Sequence, residues 1–134
     1  MRKLAQTFSI AATALFLTAS PTFAADTAAA LKALDPDNDG TIDMKEAIAG
    51  AKKVFKTINT DDDKTLEADE LQGMLDAEGL DAADPDDDDS LDWKEYRALV
   101  KAKFKAANPD DDGTIDLKEL ESPAGQELMT LIYK

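Results

Sequence analysis

Four twelve-residue segments repeat one pattern along this 134-residue chain, and their close spacing leaves few ways to fold it. The segments begin at residues 35, 59, 84 and 108. Position 1 is Asp35, Asn59, Asp84 and Asn108 in turn. Position 3 is Asp37, Asp61, Asp86 and Asp110, and position 5 is Asp39, Asp63, Asp88 and Asp112. Position 7 is Thr41, Thr65, Ser90 and Thr114. Position 9 is Asp43, Glu67, Asp92 and Asp116, and position 12 is always Glu: Glu46, Glu70, Glu95 and Glu119. Between positions 7 and 9 sits one aliphatic residue, Ile42, Leu66, Leu91 or Ile115. A merely solvated acidic tract has no reason to keep that residue in phase with the glutamates.

Oxygen-bearing side chains at positions 1, 3, 5, 9 and 12, with a backbone carbonyl from position 7, are the ligand set of an EF-hand calcium loop. Gly40 and Gly113 stand at position 6, where such a loop turns sharply and a residue without Cβ is easiest to place. The aliphatic residue at position 8 allows one loop to pair with another through a short β-bridge. The chain has no Cys and no His, so thiolate and imidazole metal sites and His- or Cys-based catalysis are excluded. Any metal must be a hard cation held by oxygen. The copies are unequal. The first and third carry five carboxylates at side-chain ligand positions, whereas the second and fourth have Asn at position 1 and carry four. The second copy, residues 59–70, also has Lys64 at position 6 and Thr60 where the others have Pro36, Pro85 and Pro109. It ranks as the weakest of up to four sites.

Only 12, 13 and 12 residues separate one loop from the next. Two ordinary helices of ~11 residues each do not fit in that space, so one helix must leave one loop and enter the next. Met44, Ala47, Ile48, Ala51, Val54, Phe55 and Ile58 form one apolar face at helical spacing, and Trp93, Tyr96, Leu99, Val100, Phe104 and Ala107 form another. Leu71, Met74, Leu75 and Leu80 make a poorer stripe, interrupted by Gly73 and Gly79. Ser122-Pro123 reads as an N-cap and first helical residue, followed by a helix that buries Leu128, Leu131 and Ile132. The expected fold is all-α: a compact three-helix bundle, adjacent loops sharing one short helix.

Acidic residues number 29 against 15 basic ones, a net charge of −14. This disfavours nucleic acid and anionic membrane surfaces as partners and favours cations or basic proteins. Arg2 and Lys3, an apolar run from Phe8 to Ala19 and the small residues around Ala24 describe a secretory signal peptide over residues 1–24, cleaved after Ala24. The apolar run is too short to span a bilayer, which takes roughly 20 residues. Residues 25–134 are then a single metal-binding domain working outside the cytoplasm.

Export, four loops about 24 residues apart, Pro at position 2, Asp at position 9 and the ending Ser122-Pro123-Ala124-Gly125 resemble lanmodulin, a family of periplasmic proteins of methylotrophic bacteria. The resemblance spans the whole mature chain. It departs at Asn59, Thr60, Lys64 and Asp89. It implies periplasmic location, selective binding of lanthanide(III) ions over Ca²⁺, folding driven by the metal, and a part in lanthanide uptake or handling for lanthanide-dependent alcohol dehydrogenases. An exported calcium buffer or sensor is the chief alternative, with Ca²⁺ in the same loops. A dockerin-like interaction module is a further one, although its calcium loops typically come as two copies with Asp at position 12. An enzyme is not expected, since the carboxylates lie at ligand spacing and Ser90 has no partner base.

Overall fold

The computed structural model describes residues 22–134, with side chains from Asp26 onward. The leader expected over residues 1–24 therefore lies, through residue 21, outside the described residues. Six helices and four very short strands follow in order. Helix α1 is Thr22–Leu34, α2 Met44–Ile58, α3 Ala77–Ala83, α4 Trp93–Ala107, α5 Leu117–Leu120 and α6 Pro123–Ile132. Strands β1 (Ile42–Asp43), β2 (Thr65–Glu67), β3 (Ser90–Asp92) and β4 (Thr114–Ile115) each coincide with the middle of one acidic segment.

The two long helices begin where the sequence supplies a reciprocal cap. Asp43 accepts from the Glu46 N–H at 2.8 Å, while the Glu46 carboxylate accepts from the Asp43 N–H at 2.9 Å. Asp92 and Glu95 repeat the arrangement ahead of α4, and Asp116 and Glu119 ahead of α5. Each box satisfies two backbone donors that a helix start leaves open. The second segment has Glu67 instead of Asp at this position, and its longer carboxylate accepts from the Thr65 hydroxyl at 3.0 Å. No helix starts there. Residues 68–74 run as turns, Gly73 takes φ +82°, and α3 begins only after the Asp76 cap.

The all-α bundle is roughly what forms, mostly helical with two small sheets, but the described residues hold six helices and not three. Helices α2 and α4 each run from one segment to the next, as their unbroken stripes predict, but the stripe over Leu71–Leu80 is split. Helix α6 takes the third place, packing on both α2 and α4. Helix α1 lies against α5 and α2, and α3 against α4. The core joins Val54, Phe55 and Ile58 of α2 to Tyr96, Val100 and Phe104 of α4 and Leu128, Leu131 and Ile132 of α6. Among the described residues no helix is long and apolar enough to cross a membrane.

The four aliphatic residues of the acidic segments pair two by two. Ile42 lies opposite Ile115 and Leu66 opposite Leu91, both in antiparallel bridges, and all four are fully buried. The first segment is thereby joined to the fourth and the second to the third.

Tyr96 ties α4 to α6 within the core. It is fully buried, edge-on to Phe55, and its hydroxyl donates to the Leu131 carbonyl at 2.8 Å. That carbonyl is in the last turn of α6, where no intrahelical donor remains. Burial pushes the phenol pKa well above its usual value. Tyr96→Phe should cost about 1–2 kcal/mol by stranding the carbonyl, read as a lower urea midpoint at unchanged slope. An unchanged midpoint would count against this capping role.

Candidate metal centre

Each acidic segment starts where a helix stops and follows one backbone path. Position 4 is left-handed in all four: Asn38 at φ 59°, Asp62 at 60°, Asp87 at 60° and Asp111 at 56°. Position 6 is left-handed as well: Gly40 at 87°, Lys64 at 78°, Asp89 at 63° and Gly113 at 89°. Two such residues separated by one wind the chain into a tight concave loop. The expectation of a left-handed turn at position 6 is met even at Lys64, where a side chain makes it costly. Position 4 escaped the sequence reading. Its signal was the unbroken run of Asn and Asp there, the side chains that best tolerate this region.

Hydrogen bonds inside the loops follow the same repeat. The position 5 carboxylate accepts from the position 7 N–H in every copy, at 2.8 Å for Asp39, 2.9 Å for Asp63, 3.0 Å for Asp88 and 2.9 Å for Asp112. The position 7 hydroxyl donates to the same oxygen. Position 1 divides the copies into two kinds. Asp35 accepts from the N–H groups of Asp39 and Gly40, at 3.2 and 2.9 Å. Asp84 accepts from those of Asp87 and Asp89, at 2.9 and 2.8 Å. Both aspartates are buried. In the other two copies the buried oxygens Asn59 Oδ1 and Asn108 Oδ1 meet no hydrogen-bond donor, and neither does Glu70 Oε2.

Carboxylate oxygens converge in three places. Asp35, Asp37 and Asp39 bring oxygens within 4.8 Å of one another, as do Asp61, Glu67 and Glu70, and Asp84, Asp86 and Glu95. Groups of this kind could hold a metal ion. In the fourth loop Asp110, Asp112, Asp116 and Glu119 form no such group of three among the described residues. The second loop departs in another way. Glu70 is drawn to the N–H and hydroxyl of Thr60, at 2.7 and 3.0 Å, instead of capping a helix.

Crowding of like charge marks the protonation of these carboxyls. Asp37 is raised by sharing a hydrogen bond with Asp35, then by burial and the charges of Asp39 and Asp35. Asp86 is raised in the same way by Asp84. Glu46 and Glu119 are raised by burial first, against their cap hydrogen bonds, and then by neighbouring aspartates. Burial acts upward on Asp35 and Asp84 too, but hydrogen bonds led by the Gly40 and Asp89 N–H groups outweigh it and leave both lowered. For the raised groups the metal-free fold is helped by protonation, so their contribution is present at acid pH and lost as pH rises through their folded values. For Asp35 and Asp84 the sign reverses, and stability is lost only as pH falls below the ordinary carboxylate range. A bound cation needs all of them ionised. Acidification through the carboxylate range should therefore expel metal while metal-free helicity stays level or rises. Equilibrium dialysis paired with far-UV CD checks this, and metal retained well below that range would contradict it.

No family model matches this chain, and a search of curated proteins found no match to it.

Proposed function

We propose that this chain is an exported binding protein whose four loops act as EF-hand sites for lanthanide(III) ions, taken in preference to calcium, with folding completed by the metal. The observation that carries the reading is the four-fold recurrence of one concave loop, with carboxylate oxygens converging in three of the copies. In two of the copies buried oxygens have no protein donor: Asn59 Oδ1, Glu70 Oε2 and Asn108 Oδ1. A buried oxygen without a donor is costly, and a cation supplies what is missing. The ligands would be Asp35, Asp37, Asp39, Thr41, Asp43 and Glu46 in the first loop, and the matching residues of the loops at 59, 84 and 108.

Preference for a trivalent ion rests on charge. Trivalent lanthanides are hard cations of about the size of Ca²⁺ and accept the same oxygen cage. At fixed geometry a carboxylate attracts a +3 ion half as strongly again as a +2 ion. Five carboxylates leave a surplus of negative charge around Ca²⁺ that shrinks around a trivalent ion. The tighter hydration shell of the trivalent ion opposes this gain. Pro36, Pro85 and Pro109 fix φ early in three loops and penalise ions that need a different cage. The resemblance to lanmodulin supports the same ion class, and with it periplasmic handling of lanthanides.

Trp93 directly follows Asp92 of the third loop and can sensitise terbium. Titrating terbium into the mature protein under a large excess of Ca²⁺ should give Trp93-sensitised emission that saturates within a few equivalents. Emission suppressed by calcium would make the protein a calcium binder instead.

A further inference from the structure

The chain is strongly acidic, yet one cavity has a basic rim. It lies between the C-terminal half of α2, the second loop and the start of α4, with a volume of about 510 Å³. Its floor is aromatic: Phe55 and Trp93 meet edge to face with centroids 5.6 Å apart. Lys52, Lys56 and Lys64 stand around it with a single carboxylate, Asp62. Three ammonium groups against one carboxylate leave a local excess of positive charge in a chain of net charge −14. None of these lysines is in an ion pair among the described residues, where the one such pair joins Lys103 to Glu127. Lys64 is the most telling of the three. It holds φ +78° at a position where two sister loops carry glycine, and a cation there does nothing for a cation-binding loop.

We infer that this cavity is a binding site for a small planar aromatic anion carrying two or more negative charges. The volume is within the range of small-molecule pockets, which pair an apolar or aromatic lining with a few placed polar groups. Stacking on Trp93, with Phe55 edge-on beside it, would hold the ring. Lys52 and Lys56, one helical turn apart on α2, and Lys64 across the opening would hold the anionic groups. Its wall includes Asn59, Asp62 and Lys64 of the second loop, so the site rests on that loop being closed by its metal.

Benzene-1,3-disulfonate is a suitable probe, because its sulfonates compete poorly for hard metal ions. Trp93 is the sole tryptophan, so its fluorescence reports the site directly. The metal-loaded protein, its helicity checked by CD, should show a saturable change in Trp93 emission with half-saturation below about 1 mM. Joint replacement Lys52→Gln and Lys56→Gln should weaken binding at least tenfold while CD and terbium uptake stay unchanged, since both side chains are on α2, outside the loops. Propane-1,3-disulfonate, with equal charge and no ring, should bind at least tenfold more weakly. Absence of saturation, equal binding by the two disulfonates, or an unaffected double variant would each overturn the assignment. Failure of terbium uptake in the parent protein would overturn the metal reading and, with it, the closed loop that this site needs.

Discussion

Glu95→Gln should abolish terbium binding at the third loop over the range where the parent saturates, weakening it at least ~100-fold, or about 2.7 kcal/mol. Glu95 is the most buried of the position 12 glutamates, and its oxygen lies within 4.8 Å of oxygens of Asp84 and Asp86. Replacing it removes a full negative charge from the cage and points an amide at two aspartates. Gln at the third helical position still completes a capping box, so α4 should start as before and the loss should fall on the metal. Trp93-sensitised emission measures this site, and CD of the metal-free variant supplies the control. Binding reduced by less than about threefold would remove Glu95 from the ligand set.

Gly125→Val should cost about 3 kcal/mol of fold stability. A Cβ at Gly125 would run into the Glu119 carbonyl and the backbone of Leu120. These are main-chain atoms and cannot swing aside. Helix α6 would have to move off α5 and draw Leu128, Leu131 and Ile132 out of contact with α2 and α4. Thermal unfolding of the metal-loaded protein should fall by roughly 10–20 °C. Gly73→Ala is the comparison, because a Cβ there meets nothing within 4 Å and only the positive φ resists it; about 1 kcal/mol is expected. Equal losses at the two glycines would mean that the α5–α6 approach is not tight.

Much of this architecture was legible before any coordinates, for reasons that lie in particular residues. The stripes of α2 and α4 are long, uninterrupted and introduced by Asp-x-x-Glu, so period and cap agree on where each helix begins. The in-phase Ile42, Leu66, Leu91 and Ile115 announced the bridges. Which loop joins which was not legible, because the pairing depends on how α2, α4 and α6 pack. The middle stripe misled in the other direction. Leu71, Met74, Leu75 and Leu80 keep an approximate helical period, but Glu67 cannot cap as Asp does and Gly73 takes a left-handed turn. Helix α1 is not among the expected elements, although its alanine-rich stretch, next to the residues read as a leader, is a strong helix former. It runs through Ala24, so cleavage there would leave residues 25–34 to lead into the first loop. Within the loops the oxygen positions could be read off, but the donorless Oδ1 atoms of Asn59 and Asn108, beside the hydrogen-bonded Asp35 and Asp84, could not.

On the function proposed above, a trivalent ion completes this fold and calcium does so poorly. Far-UV CD of the mature protein tests it most directly, recorded in excess chelator, then in millimolar calcium, then with a few equivalents of lanthanum added to the calcium sample. Low helicity in chelator is expected, with little gain in calcium and a sharp rise that levels off once the loops are filled with lanthanum. Full helicity in chelator, or a rise already complete with calcium, would contradict it.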